Sequence, residues 1–282
     1  MPERILAVCV GILLGVPVSY AALWIGVRWS LVDRPGAIKP HLRPTPYTGG
    51  AAMITVIVVG GLVFAVPFLA LIGAAAAWLV GFVDDVRGLP PAWKLAATAV
   101  PLSIGVTSLG LQLPIALVAI FVGMILVNAF NVIDGLDGLA AGVALFALLP
   151  LVAMGRPLAD LGAVSLGAIV GFLVLNLHPA RLFMGDEGSL LLGYILWLLV
   201  VSLLAARPSP TSFAFAALMW AFPIVNAVFV LIKRARERRP LLAGDRGHLY
   251  DVLQRRYGLP VAVAISWGIA AVGSTLAAAL RY

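Results

Sequence analysis

Long apolar runs, separated by short clusters of proline, glycine and charge, leave this chain few folds to choose from. The runs fall at residues 5–26, 50–66, 68–83, 92–109, 112–130, 138–154, 159–177, 188–206, 211–232 and 259–280. A helix needs about 20 apolar residues to cross a hydrocarbon core, and backbone in lipid must bond to itself as a helix or a closed barrel. Continuous apolar runs, rather than alternating ones, select helices. Only 11% of residues are charged and 62% are hydrophobic, whereas roughly a quarter of a soluble domain is charged. The expected fold is therefore all-α, a polytopic integral membrane protein of about ten transmembrane helices in a single domain over 1–282. The run from Gly50 to Val83 is too long for one span and is divided at Pro67 into two short ones.

Lysine and arginine set the orientation, because cytoplasmic loops are enriched in them. With the N-terminus outside, the inner loops carry Arg28, Arg34, Lys39, Arg43, Arg87, Lys94, Arg181, the basic run at 233–239, Arg246, Arg255 and Arg256. The outer side keeps Arg4, Arg156, Arg207 and Arg281, and both termini are expected there. Cleaving the first run as a signal peptide would leave Arg28 to Arg43 outside, so it is read as an uncleaved span. The net charge of +7 is explained by these loops, and no nucleic-acid partner is expected. Cys9 lies within an apolar run and is read as a packing residue. All twelve acidic residues except Glu3 and Asp160 also fall on the inner side. Topology does not require that, since acidic residues contribute little to it. Carboxylates crowded at one set of helix ends suggest a site.

The stretch 128–142 places Asn128, Asn131, Asp134 and Asp137 three residues apart between two apolar runs. Each step turns an ideal α-helix by roughly −60°, so the first two share a face and all four cannot. The helix is expected to unwind near Gly135, with Gly135 and Gly138 supplying turn conformations. The following helix would then begin with free N–H groups suited to phosphate oxygens.

Three other constellations surround this stretch. Asp84 and Asp85 end the third run, ahead of Arg87, Leu89, Pro90 and Lys94; adjacent carboxylates can bind a divalent metal, act as a base or hold neighbouring cations. Asp186 lies between Gly185 and Gly188, where it could ligate a metal and leave room for a phosphate, and Phe183 offers a ring for stacking on a base. The first inner loop holds Lys39 and Arg43 among Pro35, Pro40, Pro44 and Pro46, cations that could neutralise a diphosphate. In the last inner loop Arg246 and His248 sit among glycine, tyrosine and aspartate rather than in a charge block.

Together Asp84-Asp85, the 128–142 stretch, the segment 183–189 and the loop at Pro44-Thr45-Pro46 with Gly49-Gly50 resemble the polyprenyl-phosphate N-acetylhexosamine-1-phosphate transferase family, over nearly the whole chain. That family includes phospho-MurNAc-pentapeptide translocase and the GlcNAc-1-phosphate transferases that start lipid-linked polysaccharides. The resemblance implies transfer of a sugar-1-phosphate from a UDP-N-acetylhexosamine to polyprenyl phosphate in the bacterial inner membrane, with release of UMP and a requirement for Mg²⁺, for which Mn²⁺ could substitute. It implies Asp186 as metal ligand with Asn131 as its partner at the metal, and Asp84, with Asp85 beside it, as the group that deprotonates or positions the attacking lipid phosphate. Asn128, Asp134, Asp137, Phe183, Arg246 and His248 would line the nucleotide and sugar site, with Lys39 and Arg43 as phosphate contacts.

The cytoplasmic loops 27–49, 84–92, 131–137, 178–188 and 233–258 would form that site, and a homodimer in the lipid is compatible with the resemblance. One departure stands out: many members carry His-x-His-His in the last loop, whereas this chain has His248, Leu249, Tyr250 and Asp251. This puts the sugar in question, although the chain reads as nearer the N-acetylhexosamine branch than the peptidoglycan translocase. The rival class is a transporter, which would place its polar residues near mid-bilayer in paired broken helices. Here the carboxylates crowd one interface.

Overall fold

The structure, a computed structural model, describes residues 1–36, 43–155, 158–238 and 247–280. Every apolar run is helical: α1 (Pro2–Arg28), α2 (Gly49–Val63), α3 (Phe68–Arg87), α4 (Pro91–Ala97), α5 (Ala99–Ser108), α6 (Leu113–Val132), α7 (Leu139–Ala153), α8 (Ala159–Asn176), α9 (Gly185–Ala206), α10 (Pro210–Met219), α11 (Ala221–Arg236) and α13 (Leu259–Ala279). A short amphipathic helix, α12 (Leu249–Tyr257), lies in the last inner loop, and β1 (Val32–Asp33) pairs antiparallel with β2 (Thr45–Pro46). Neither the extra helix nor the ribbon is announced by the apolar pattern.

Six helices are long and apolar enough to cross a membrane by themselves: α1, α3, α6, α8, α9 and α13. The pair α10–α11 makes a seventh if counted as one span, although its halves meet at 74°. The helices α2 and α7, at 15 residues each, are shorter than the usual spanning length. Large apolar side chains cover the outside of the bundle, including Leu13 and Trp24 on α1 and Val118 and Phe121 on α6. Such a surface is stable against lipid and not against water. The chain is a multi-pass, essentially all-α membrane protein.

Two expected continuous runs are broken, and both breaks have the same cause. The residue before each break, Ala97 at the end of α4 and Met219 at the end of α10, stands four positions ahead of a proline, Pro101 or Pro223. Proline lacks the N–H for that i−4 carbonyl and its ring collides with it. In the first case the buried hinge residue Thr98 uses its hydroxyl on Leu95 O at 2.6 Å. At the second, Trp220 is buried edge-on against Phe130, with centroids 6.2 Å apart.

The centre of the bundle is α8 and α9, whose spanning windows are 83% and 78% buried, against 28% for α1 and 22% for α6. Helix α1 lies along α8 through a seam without side chains. Gly11 and Gly15 oppose Gly167 and Gly171, and a Cβ added at Gly167 would fall 2.6 Å from Gly11 Cα. Small residues four apart let membrane helices approach this closely, and the gain is van der Waals contact over the whole seam. Buried positions on α1 continue the row at steps of three or four, from Ala7 through Gly11, Gly15, Ser19 and Ala22 to Gly26.

Candidate active site

The site begins with a backbone contact. A Cβ at Gly81 of α3 would lie 2.3 Å from both Asp186 O and Glu187 Cα, so only glycine lets the last turns of α3 rest on the first turn of α9. Asp85 then reaches the orphan amides of α9: its Oδ1 accepts from Asp186 N–H at 3.0 Å and its Oδ2 from Glu187 N–H at 2.9 Å. Glu187, buried to 1% exposure, extends the relay, accepting from Ala51 N–H at 2.8 Å in the first turn of α2. Gly49 and Gly50 in turn donate to the carbonyls of Phe183 and Met184, and Phe183 N–H donates to Pro46 O. Three helix ends and the 43–50 loop are thereby locked together by carboxylates acting as caps.

Asp84 points elsewhere, as its position one residue before Asp85 on a helix requires. Gly88 ends α3 with φ at 66°, turning the chain so that Leu89 N–H donates to Asp84 Oδ1 at 2.6 Å. Pro91 then opens α4, and Lys94 reaches back with Nζ 2.8 Å from Asp84 Oδ2 and 2.6 Å from Asp186 Oδ2. Asn131, at the end of α6, donates its amide to Asp186 Oδ1 and to Ser189 Oγ, both at 2.6 Å. One ammonium thus bridges two carboxylates, and Asp186 has a partner on each oxygen.

The chain does unwind between α6 and α7, over residues 133–138. Gly138 takes the left-handed turn conformation expected of it, at φ 75°, whereas Gly135 does not. The reason for glycine at 135 is contact: a Cβ there would lie 2.5 Å from the Tyr250 ring. Asp134 sits in the break, half-buried, and accepts no hydrogen bond from another described residue. Burial, then the charges of Asp186, Asp85 and Asp137, push its carboxyl well above the usual carboxylate range. Of the N–H groups expected to await a phosphate at the start of α7, that of Gly138 already donates to Asn176 Oδ1 at 3.0 Å.

Other expected residues are distributed more widely. Asp137 Oδ2 lies 2.8 Å from His178 Nδ1 and accepts from Ala180 N–H at 3.0 Å, so it pins the 177–184 loop. Asn176 completes that pin through its amide on Leu182 O. Asn128 uses its amide on Thr98 Oγ1 and Met124 O, tying α6 to the hinge between α4 and α5. Phe183 is half-buried three residues before Asp186, and Arg43 precedes the β2 strand with its side chain exposed. His248 caps α12 and lies face to face with Tyr250, at 5.3 Å between centroids and 3° between planes. Lys39 and Arg246 lie outside the described residues.

Lys94, Ser189 and His178 were not among the expected site residues. For Lys94 the signal was available: Pro90 and Pro91 open a helix directly after the acidic pair, which turns a lysine three residues on back toward it.

No group of three or more His, Cys, Asp or Glu side chains converges closely enough to hold a metal unaided among the described residues. Two carboxylates do converge, on the point that Lys94 Nζ holds. A hard divalent ion such as Mg²⁺ suits oxygen donors of this kind, and it commonly takes one or two protein carboxylates and completes its shell with water and substrate phosphate. The donor set fits that pattern.

The sequence was compared with known proteins. A model of glycosyl transferase family 4 matches residues 67–204, which hold Asp84, Asp85, Lys94, Asn131, Asp134 and Asp186. Undecaprenyl-phosphate alpha-N-acetylglucosaminyl 1-phosphate transferase of Thermotoga maritima is 33% identical over 245 residues, covering 82% of this chain and 75% of the relative. Decaprenyl-phosphate N-acetylglucosaminephosphotransferase of Mycolicibacterium smegmatis is 28% identical over 312 residues, covering 90% and 76%. Phospho-N-acetylmuramoyl-pentapeptide-transferase of Synechococcus is 36% identical over 228 residues, covering 64% and 63%.

Proposed function

Because this chain belongs to glycosyl transferase family 4, we propose that it transfers a sugar-1-phosphate, N-acetylhexosamine-1-phosphate, from a UDP-sugar to polyprenyl phosphate and releases UMP. The observation that carries the reading is the pair of carboxylates, Asp84 and Asp186, brought from two helices onto one cation beside Asn131 and Asp134, the latter with no hydrogen bond to its carboxyl among the described residues. Phosphate-bearing substrates repel one another and a carboxylate cluster alike. A site that gathers negative charge at a solvent-facing helix end makes chemical sense when cations and phosphates complete it.

In this reading Asp186 would hold Mg²⁺, or Mn²⁺ in its place, with Asn131 orienting the carboxylate and Asp84 adjacent. When bound, such an ion would supply positive charge for the diphosphate and for the charge that develops on departing UMP. Asp84, fixed by Leu89 N–H and Lys94, positions the lipid phosphate or takes its proton. An oxygen of that phosphate attacks the sugar-bearing phosphorus of the UDP-sugar. The bond from that phosphorus to the bridging oxygen breaks, UMP leaves with the electron pair, and the sugar remains joined to the lipid by a diphosphate. Lys94 lies where it can follow the charge from Asp84 and Asp186 onto phosphate oxygens. Asp134, Asp137 and Phe183 border the nucleotide, and Arg43, Lys39, Arg246 and His248 are assigned to its phosphates and sugar.

The chain would cross the bacterial inner membrane ten times with both ends outside and this site at the cytoplasmic face. The charge distribution supports that orientation, and the short helices α2 and α7 can span with local bilayer thinning. Pairing of two copies in the membrane belongs to the same proposal.

Purified protein with Mg²⁺ and polyprenyl phosphate is expected to release UMP from UDP-N-acetylglucosamine or another UDP-N-acetylhexosamine. Folded protein that releases no UMP from any UDP-sugar would overturn the reading. The similarity to a phospho-N-acetylmuramoyl-pentapeptide-transferase supports a second donor, UDP-N-acetylmuramoyl-pentapeptide. Mass spectrometry of the lipid-linked product separates the two.

A further inference from the structure

The last inner loop touches the break between α6 and α7 through one side chain. Tyr250, in the first turn of α12 and 6% exposed, donates its hydroxyl to Val132 O at 3.0 Å. Val132 is the final residue of α6, so its carbonyl is one of those a helix end leaves without an internal partner. The ring lies on Gly135, where any Cβ would come within 2.5 Å of Cε2 and Oη. On the other side the ring is stacked on His248.

The turn carrying Tyr250 is itself held from two directions. Asp251 Oδ2 accepts from His248 N–H at 3.2 Å, closing a capping box. From α11, the buried Asn226 accepts from Leu249 N–H with its Oδ1 at 3.0 Å. The tyrosine is therefore a rigid strut and not a mobile surface group, and it meets the chain between Asn131, which holds Asp186, and Asp134.

We propose that Tyr250 is a positioning residue: it fixes the backbone of residues 132–135 so that Asn131 keeps its place at the end of α6 and Asp134 its place in the break. Its action on substrate is indirect, through those two side chains. The proposal rests on the transferase reading and adds to it a route by which the last inner loop sets the geometry of the nucleotide side of the site. Tyr250 and Asp251 are buried in this arrangement, and His248 stacks on the Tyr250 ring.

The test uses the full chain and two readouts. Hydrogen–deuterium exchange is followed over 131–138, and UMP release is measured with the UDP-sugar and the polyprenyl phosphate varied in turn. In Tyr250→Phe, exchange over 133–138 is expected to accelerate about fivefold, as loss of one buried hydrogen bond predicts. KM for the UDP-sugar should rise by a similar factor while KM for polyprenyl phosphate stays unchanged. Gly135→Ala, which displaces the ring from the opposite wall, should give the same pair of changes, and the double variant should be no worse than the more severe single one. It also keeps the question answerable if Tyr250→Phe does not fold. Unchanged exchange in Tyr250→Phe overturns the strut, and accelerated exchange with unaltered kinetics, or additive kinetic effects in the double variant, overturns the positioning role. If the wild-type chain turns over no UDP-sugar, the transferase reading fails by itself, and the exchange comparison still decides the strut.

Discussion

Asp84 and Asp85 are neighbours in sequence and serve two regions of different character. Asp85 belongs to a ring of caps with Glu187, Asp137 and Asn176, in which side-chain oxygens accept from backbone N–H groups of another segment. Asp84 belongs to a notch with Asp186, Asn131 and Asp134, in which negative charge faces one lysine. Backbone amides are permanent donors, so the cap ring is complete as the chain folds. The notch is held by a side-chain ammonium on a flexible stem, and that is the part a metal or a phosphate can rearrange. The difference teaches that a carboxylate already satisfied by the fold is a poor candidate for chemistry, however close it stands to the site.

Substitutions can break this division, starting with the notch. Asp186→Asn should lower UMP release about a thousandfold, the scale of losing charge stabilisation worth several kcal/mol, while the melting temperature stays near that of the wild type. Near-wild-type turnover would remove Asp186 from its assigned role. Lys94→Met should reduce turnover by about ten- to a hundredfold, and it should tighten Mn²⁺ binding read by electron paramagnetic resonance, because two carboxylates lose their resident counter-charge. Weaker Mn²⁺ binding would mean that the lysine supports the metal instead of competing with it.

The cap ring should respond in stability first. Asp85→Ala strips acceptors from two amides at the start of α9, at a cost of about 1–3 kcal/mol, and calorimetry should show a melting temperature several degrees lower. If instead the fold were unaffected and only turnover fell, Asp85 would move into the notch. The smallest effect tests Asp134. Its carboxyl holds a proton more tightly in the folded chain than in the unfolded one, so stability is lost as pH rises above the ordinary aspartate value of about 3.9 and stays lost above the folded pKa. With metal chelated, Asp134→Asn should melt slightly higher than the wild type at pH 7, and the gap should close toward pH 4. A gap that widened on acidification would reverse the assignment.

Much of this was legible in the chain. Every apolar run became helix, and the misfit of Asn128, Asn131, Asp134 and Asp137 on one helix located the break. Proline chemistry at Pro101 and Pro223 could have located two more, yet Pro17 and Pro150 sit inside intact helices, so proline alone does not decide. Lys94 carried a readable signal in Pro90 and Pro91, but it competed with topology, which by itself accounts for a lysine at the inner end of a span. Gly135 was credited with a turn that it does not make, because a glycine needed for the approach of a ring 115 residues away has no local signature. Asn128 kept the spacing of its neighbours but turned to Thr98, since a hinge in α4–α5 supplied an acceptor no pattern could foresee. The glycines at 11, 15, 167 and 171 did carry a readable four-residue spacing.

That glycine seam has a consequence in time. Synthesis proceeds from the N-terminus, and roughly 150 residues separate the two halves of the seam, so at about 5–20 residues per second α1 waits about eight to thirty seconds for α8. During that interval its row of small residues lies bare in the bilayer, able to dock on any helix that offers a matching groove. Bulkier side chains at Gly11 or Gly15 would thus act on biogenesis before they act on the finished enzyme, as chains that leave the ribosome with α1 still unattached.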